Sequence, residues 1–410
     1  MVDVPRTLAL HLLRRTARPG EGTLRLTGEA VPARGTLVNG TGMPDVTVRV
    51  HDRRAFAGIL RGGSVGLATS YREGWWDADD LTGVVRVLSR RTAGMRRVLD
   101  GVARQAGGPV AAVQRLRPPT QADDRRNIAA HYDLSNEFFS LMLDPTMTYS
   151  CAYFERPGLS LEEAQRAKFE LLASKLELSA GDHVVEIGTG WGGLAAHLAE
   201  RHGCRVTTTT ISAEQRHHAE RLMKERHLED RVTVLGVDYR HLTGHYDALV
   251  SVEMVEAVDW RRYDEFFAAC HRLLRPGGRM GLQAITIEEA SYARARLHGE
   301  FIRTLVFPGG TLPSLGALLG SLARTSDLRL VDLQDIGPHY PETLRRWRAN
   351  LAAQGEEVAA LGLDGQFRRL WDLYLAYCEA AFEERHISDV QLVLSSPGSP
   401  VTGRGVGAPL

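Results

Sequence analysis

The chain has 410 residues, more than one compact domain usually holds, with 50 basic and 50 acidic side chains and a hydrophobic fraction of 43%. This balance excludes wholesale electrostatic capture by nucleic acid or by an anionic bilayer, so an anionic partner must be met by a local patch. Three of the basic residues are lysines (Lys168, Lys175 and Lys224) and the other 47 are arginines, whose planar forks suit phosphate. The cysteines Cys151, Cys204, Cys270 and Cys378 are scattered without a CxxC pair, which fits a reduced cytoplasm better than a disulfide framework. There is no signal-peptide apolar core and no run of 18 apolar residues, so contact with lipid is expected from outside the bilayer.

In chain order, residues 1–103 read as a small α+β domain. Thr and Val alternate with polar residues from Leu24 to His51, with turns at Asn39-Gly40 and Met43-Pro44, and helical apolar spacing follows over Asp52 to Leu60 and Leu81 to Leu88. Gly107, Gly108, Pro109, Pro118 and Pro119 mark residues 104–124 as a linker. Residues 125–395 then alternate strands with helices, the pattern of a parallel sheet covered on both faces. The predicted strands are His183 to Ile187, Arg205 to Thr210, Val232 to Val237, Ala248 to Val252 and Arg279 to Ala284. The predicted helices are Gly192 to Arg201, Ala213 to Arg226 and Tyr263 to Leu274, the last closed by Pro276-Gly277-Gly278. Phe367, Leu370, Trp371, Tyr374, Leu375, Cys378, Ala381 and Phe382 form an apolar helical stripe, suited either to a core or to a lipid-facing helix. Residues 396–410 are rich in Gly and Pro and are expected to be disordered.

Val184-Val185-Glu186-Ile187 leads into Gly188-Thr189-Gly190-Trp191-Gly192-Gly193, an apolar strand that ends in a glycine cluster and opens a helix. Glycines there let the backbone turn tightly and approach a ligand, and the helix start offers free N–H groups. Gly188, Gly190 and Gly193 also satisfy GxGxxG, so the signal fixes a nucleotide-type ligand without choosing between a dinucleotide and another adenosine cofactor. The second strand ends Thr207 to Ser212 with no carboxylate for ribose, against a dinucleotide and against the commonest methyltransferase pattern alike.

With further motifs, the chain resembles the cyclopropane-fatty-acid and mycolic acid cyclopropane synthases. The motifs are Ala130-His131-Tyr132-Asp133-Leu134, Met147 to Phe154, Glu186 to Gly193, Thr210 to Gln215, Asp238-Tyr239-Arg240, Ser251 to Glu256, Phe301-Ile302-Arg303 and Phe307 to Ser314. Gly63 to Leu67 and Ser70 to Trp76 resemble the N-terminal domain of the phospholipid-acting synthases, so the likeness covers roughly residues 25 to 395. It implies a class I fold with a mostly parallel seven-stranded sheet and S-adenosylmethionine as cofactor. Tyr149 and Ser150 would lie over the cofactor, Gly188 and Gly190 under its methionine part, and Glu186 near its amino group. Thr210, Ile211 and Gln215 would take the ribose, and Asp238 with Tyr239 would meet the adenine.

The reaction that the resemblance implies is methyl transfer to a cis double bond in the acyl chains of membrane phospholipids. The resulting cation is deprotonated by a bound bicarbonate, held by the Cys151 and Ile285 N–H groups, the Glu256 and Tyr340 side chains, and a histidine. At that histidine this chain reads Gln283, which can hydrogen-bond but cannot titrate near neutrality. Two outcomes stay open: closure to a cyclopropane, or a hydride shift leaving a methylene branch that a flavin- or nicotinamide-dependent reductase would saturate. The resemblance places the protein at the cytoplasmic face of the membrane, without nucleic acid and without a metal, and leaves a homodimer open. Rival readings are a nicotinamide-dependent oxidoreductase, a small-molecule O- or N-methyltransferase and a non-catalytic lipid-binding protein. Trp75 and Trp76, following Arg72, suit either a lipid interface or a small core.

Overall fold

The structure, a computed structural model, describes residues 23–31, 36–38, 46–90, 134–296, 301–307 and 310–398, together with Thr7. The predicted linker, most of the tail and the motif from Ala130 to Asp133 lie outside the described residues.

The first part of the chain builds a four-stranded sheet from β1 (Leu24–Thr27), β2 (Thr36–Val38), β3 (Val46–Val50) and β4 (Trp76–Ala78), in the order β2-β1-β3-β4. Leu24, Leu26, Val46, Val48 and Val50 are buried while their neighbours are not, the period of two expected of a sheet with one covered face. Helix α1 (Arg54–Arg72) runs well past the apolar spacing that predicted it, with a kink at Gly63, and α2 follows over residues 81–90. Trp76 is 2% exposed and donates its indole N–H to Ser70 Oγ at 3.0 Å, so it is a core residue of this sheet and not an interfacial one. Trp75 is half-buried, with the Arg54 guanidinium 4.6 Å from its ring centroid.

The second sheet has seven strands: β5 (His183–Ile187), β6 (Arg205–Thr209), β7 (Val232–Leu235), β8 (Tyr246–Val252), β9 (Leu274–Ile287), β10 (Arg329–Asp335) and β11 (Ile387–Ser395). Their order is β10-β11-β9-β8-β5-β6-β7, with β9 to β7 parallel and β11 antiparallel to both β9 and β10. Between β5 and β8 the chain path reverses, since β6 and β7 extend one way and β9 the other. Open α/β sheets bind ligands at the carboxyl ends of strands beside such a reversal.

The helices that matter for the site are α3 (Asn136–Met142), α4 (Leu161–Leu176), α5 (Gly193–His202), α6 (Ala213–Glu225), α7 (Tyr263–Leu273), α8 (Glu289–Ala295), α9 (Leu315–Thr325), α10 (Tyr340–Ala353), α11 (Gly355–Ala360) and α12 (Gly365–Glu383). Local chemistry sets their starts: Ser160 and Glu163 form a capping box on α4, and the side chains of Ser212 and Asp364 cap α6 and α12. Pro276-Gly277-Gly278 does not close α7 as predicted. The helix stops at Leu273, and the Pro-Gly-Gly segment joins β9 because Gly277 N–H donates to Pro397 and Gly278 accepts from Ser396 N–H, both beyond the end of β11.

The first sheet docks through α2 and α1 onto α12, and one hydrophobic cluster runs across the junction from Leu24 to Phe382. Polar contacts reinforce it: Arg369 donates to the Tyr71 and Trp76 carbonyls, and Glu384 accepts from Arg86 and Arg90. The Glu379 carboxylate, 4% exposed, accepts from Thr82 Oγ1 at 2.9 Å, Arg345 at 3.0 Å and Arg348 at 3.1 Å. Removing one partner of a buried ion pair leaves the others uncompensated. Glu379→Ala should therefore destabilise the protein by about 3 kcal/mol, the lower end for such pairs because both arginines reach solvent. The shift of the urea midpoint at unchanged slope measures this.

Candidate active site

The loop after β5 turns through Gly188, Gly190 and Gly192, each at positive φ (102°, 53° and 93°). A Cβ on Gly193 would lie 2.4 Å from the Thr146 carbonyl, which explains a glycine at the start of α5. A Cβ on Gly190 would meet nothing within 4 Å, because that position faces the large cavity at the reversal point. Below the turn, Thr208 Oγ1 donates to Glu186 at 2.5 Å and contacts Thr189 Oγ1 at 2.7 Å. Burial raises the Glu186 carboxyl to about 8, against the opposing pull of the Thr208 hydrogen bond and of Lys168.

The cavity has a volume of about 960 Å³. Tyr149, Ser150, Glu186, Gly188, Gly190, Thr210, Ile211, Gln215, Asp238 and Tyr239 all line it, as do Glu256, Ile285 and Tyr340. Thr210 Oγ1 donates to Gln215 Oε1 at 2.8 Å, and Asp238 is held by the Arg240 guanidinium, which keeps its carboxyl below the usual range despite burial. Tyr149 and Tyr374 share a hydroxyl contact of 2.8 Å. The lining also includes the apolar side chains of Ile302, Phe307, Leu344, Tyr377 and Phe382. The stripe on α12 therefore both packs the core and lines the cavity.

Cys151 and Gln283 complete a second constellation beside the cavity, and its centre is Glu253, to which the sequence motif assigned no role. Glu253 lies just after β8, at φ 46°, a conformation unusual for any residue but glycine. Its Oε1 accepts from Cys151 N–H at 2.8 Å and from Gln283 Nε2 at 2.9 Å, and its Oε2 accepts from Tyr340 O–H at 2.6 Å. Gln283, 0% exposed, donates also to Asp389 Oδ2 at 2.8 Å and accepts from Gln391 Nε2 at 3.2 Å. These contacts follow from register, because Gln283 faces Gln391 and Ile285 faces Asp389 across β9 and β11, which puts all four on one face. Ile285 N–H donates to Glu256 Oε1, and Glu256 Oε2 is buried without a partner. Burial, and then the neighbouring Glu253, raise the Glu256 carboxyl to about 8; burial with the charges of Glu253 and Glu256 pushes Asp389 well up.

Lys168 is the other residue the sequence reading passed over. It is 0% exposed and donates to Ser150 Oγ at 2.5 Å. Burial lowers its ammonium, while Glu253, Cys151, Asp389 and Asp144 act to restore it. The Cys151 thiol is pushed well up by burial and by Asp389 and Glu253, so this residue meets the cluster with its N–H and not with a thiolate.

A mostly parallel seven-stranded sheet, a glycine turn after β5 and a cavity at the chain reversal define a class I S-adenosylmethionine-dependent methyltransferase. The family model for mycolic acid cyclopropane synthetases matches residues 120–392, and the chain belongs to that family. It is 38% identical to tuberculostearic acid methyltransferase UfaA1 of Mycobacterium tuberculosis over 96% of this chain and 92% of that one. It is 34% identical to the cyclopropane-fatty-acyl-phospholipid synthase of Escherichia coli K12 over 92% of this chain and 94% of that one. Among solved structures, mycolic acid cyclopropane synthase CmaA1 complexed with SAH and CTAB is 34% identical, covering 69% of this chain and 100% of that chain at a TM-score of 0.62.

The residues present fit the cofactor: the open space over Gly190 would admit its methionine part, and the buried Glu186 carboxyl would complement its ammonium. Gly190→Val should abolish binding of S-adenosylhomocysteine in calorimetry while the protein stays folded, because the side chain would fill that space and branch at a left-handed position. A second expectation concerns protons. Glu186 is mainly protonated at pH 7 before binding, and the ammonium would favour its ionised form. Binding at pH 7 should then release up to about one proton, read as a dependence of the binding enthalpy on buffer ionisation heat, and Glu186→Gln should remove that release.

Proposed function

We propose that this enzyme methylates a cis double bond within a lipid-borne acyl chain and yields a methylene-branched chain. One observation carries the substrate assignment: the cavity lined by the residues assigned to the cofactor is also lined by apolar side chains, and the acids Glu253 and Glu256 face the same space. A small polar substrate needs no such lining. Arg261, Arg262, Arg294 and Arg303 line the cavity too, and arginine forks suit a phosphate head group. No helix among the described residues is long and apolar enough to cross a membrane, so this reading has lipid met at the bilayer surface.

When bound, S-adenosylmethionine supplies an electron-deficient sulfonium methyl. The protein's residues hold the alkene against it, exclude water from the cation that forms in the acyl chain, and accept one proton. Tyr340 stacks on Phe382 with ring centroids 4.2 Å apart, and its face and those of Tyr149 and Phe307 are the aromatic surfaces available to a cation. The branched product is favoured by Gln283, an amide that cannot take up a proton, and by the 38% identity to a relative named for fatty-acid methylation rather than ring closure. A methylene branch becomes a methyl branch only by reduction, so a flavin- or nicotinamide-dependent reductase is the partner reaction.

Lipids from a host expressing the gene and fed labelled methionine should carry label in their acyl chains, with downfield vinylidene protons in the NMR spectrum. Upfield ring protons alone would show a cyclopropane product instead. Absence of labelled chains would end the acyl-methylation reading.

A further inference from the structure

The resemblance implies a bicarbonate held by five groups: the N–H of Cys151 and of Ile285, the side chains of Glu256 and Tyr340, and the residue at position 283. The arrangement in this protein does not fit that anion. Cys151 N–H, Tyr340 O–H and Gln283 Nε2 all converge on the Glu253 carboxylate, at 2.8, 2.6 and 2.9 Å. The fourth and fifth groups meet each other, with Ile285 N–H on Glu256 Oε1. A bicarbonate at this place would have to displace one carboxylate of the chain and then sit beside two more acids, Glu256 and Asp389, in a region with little access to water. Repulsion between that anion and the displaced Glu253 carboxylate, which would also lose its three donors, opposes this.

We infer that the chain carries its own base: the Glu253 carboxylate takes the place of a bound anion and receives the proton lost by the methylated acyl cation. This rests on the acyl-methylation reading above. Three features on the page support it beyond the hydrogen bonds. Glu253 lines the cavity, so it can reach a bound chain. Its backbone is held at φ 46°, a left-handed conformation that persists in a non-glycine residue where the surrounding contacts fix it. Its carboxylate is oriented by three donors from three separate elements: the loop before α4, the start of α10, and β9. The Gln283 amide fits this arrangement because it donates to two carboxylates at once, Glu253 and Asp389.

The step balances as follows. After methyl transfer the acyl chain is cationic and the cofactor has become S-adenosylhomocysteine. A 1,2-hydride shift moves the cationic centre to the carbon that bears the new methyl; a C–H bond of that methyl then breaks, and its electron pair becomes the exocyclic C=C bond. The proton goes to the Glu253 carboxylate, which becomes a carboxylic acid and later loses that proton to solvent.

Glu253→Gly provides the test, since glycine relieves the left-handed backbone and opens the space that a small anion would need. Full-length wild type and variant would be assayed with S-adenosylmethionine and vesicles of oleoyl phospholipid, in buffer stripped of carbon dioxide and in the same buffer with added bicarbonate. The wild type should turn over equally in both. The variant should stay folded and keep its affinity for S-adenosylhomocysteine, lose on the order of 10² to 10⁴ in turnover without bicarbonate, and recover part of it when bicarbonate is added. A wild type that needs bicarbonate, or a variant as active as wild type without it, overturns the inference. A second readout does not depend on turnover: ¹³C-bicarbonate should show no saturable binding to wild type loaded with S-adenosylhomocysteine, and should bind the variant. Binding to the wild type overturns the inference even if the substrate chosen is wrong, whereas a wild type that methylates no acyl chain in either buffer counts against the proposed function alone.

Discussion

A carboxylate partly withdrawn from water is held by the donors that meet it, and in this protein the donors come from parts of the chain that are far apart in sequence. Cys151 N–H, the Gln283 amide and the Tyr340 hydroxyl reach Glu253 from the loop before α4, from a central strand and from a helix start. That convergence fixes the position of β8 relative to the C-terminal elements. It also explains why β11 must pair with β9 in its observed register, because a slip of one residue would turn Asp389 and Gln391 to the other face. The sheet is the frame on which this one charge is held.

Charge compensation sets what the cluster can do. Glu253, Glu256 and Asp389 crowd one region, and Lys168 is the buried cation that opposes them. Burial and mutual repulsion push Glu256 and Asp389 toward their neutral forms, while the donors converge on Glu253. A carboxylate oriented by three donors, beside two acids whose neutral forms burial favours, is an arrangement for accepting a proton. It also keeps the surroundings of a transient cation poor in water.

Much of this architecture was legible in the sequence. The strand from His183 to Ile187, the glycine turn after it and the helix from Ala213 were readable from apolar runs, turn chemistry and capping residues, and they fall where the structure has them. The two antiparallel strands at the C-terminal side were missed. β10 is solvent-facing along most of its length, and β11 carries Asp389 and Gln391 inside an apolar run, so neither shows a clean period. Trp76 was ambiguous because the preceding Arg72 and a second Trp suit an interface as well as a core, and its burial and indole hydrogen bond to Ser70 decide. Glu253 was hidden for a different reason. It lies three residues before Glu256 in a motif whose second acid drew the attention, and nothing local shows that its carboxylate meets a tyrosine 87 residues further along.

The left-handed backbone at position 253 also bears on how such an enzyme can change over time. Glycine and glutamate codons differ at a single middle base, and a backbone at φ 46° accepts glycine without cost. A lineage could therefore exchange a covalently attached base for a diffusible one, or the reverse, by one nucleotide substitution that leaves the fold intact. An enzyme with the attached base would not depend on dissolved carbon dioxide, and its acyl-chain chemistry would proceed at the same rate in a cell that ventilates well and in one that does not.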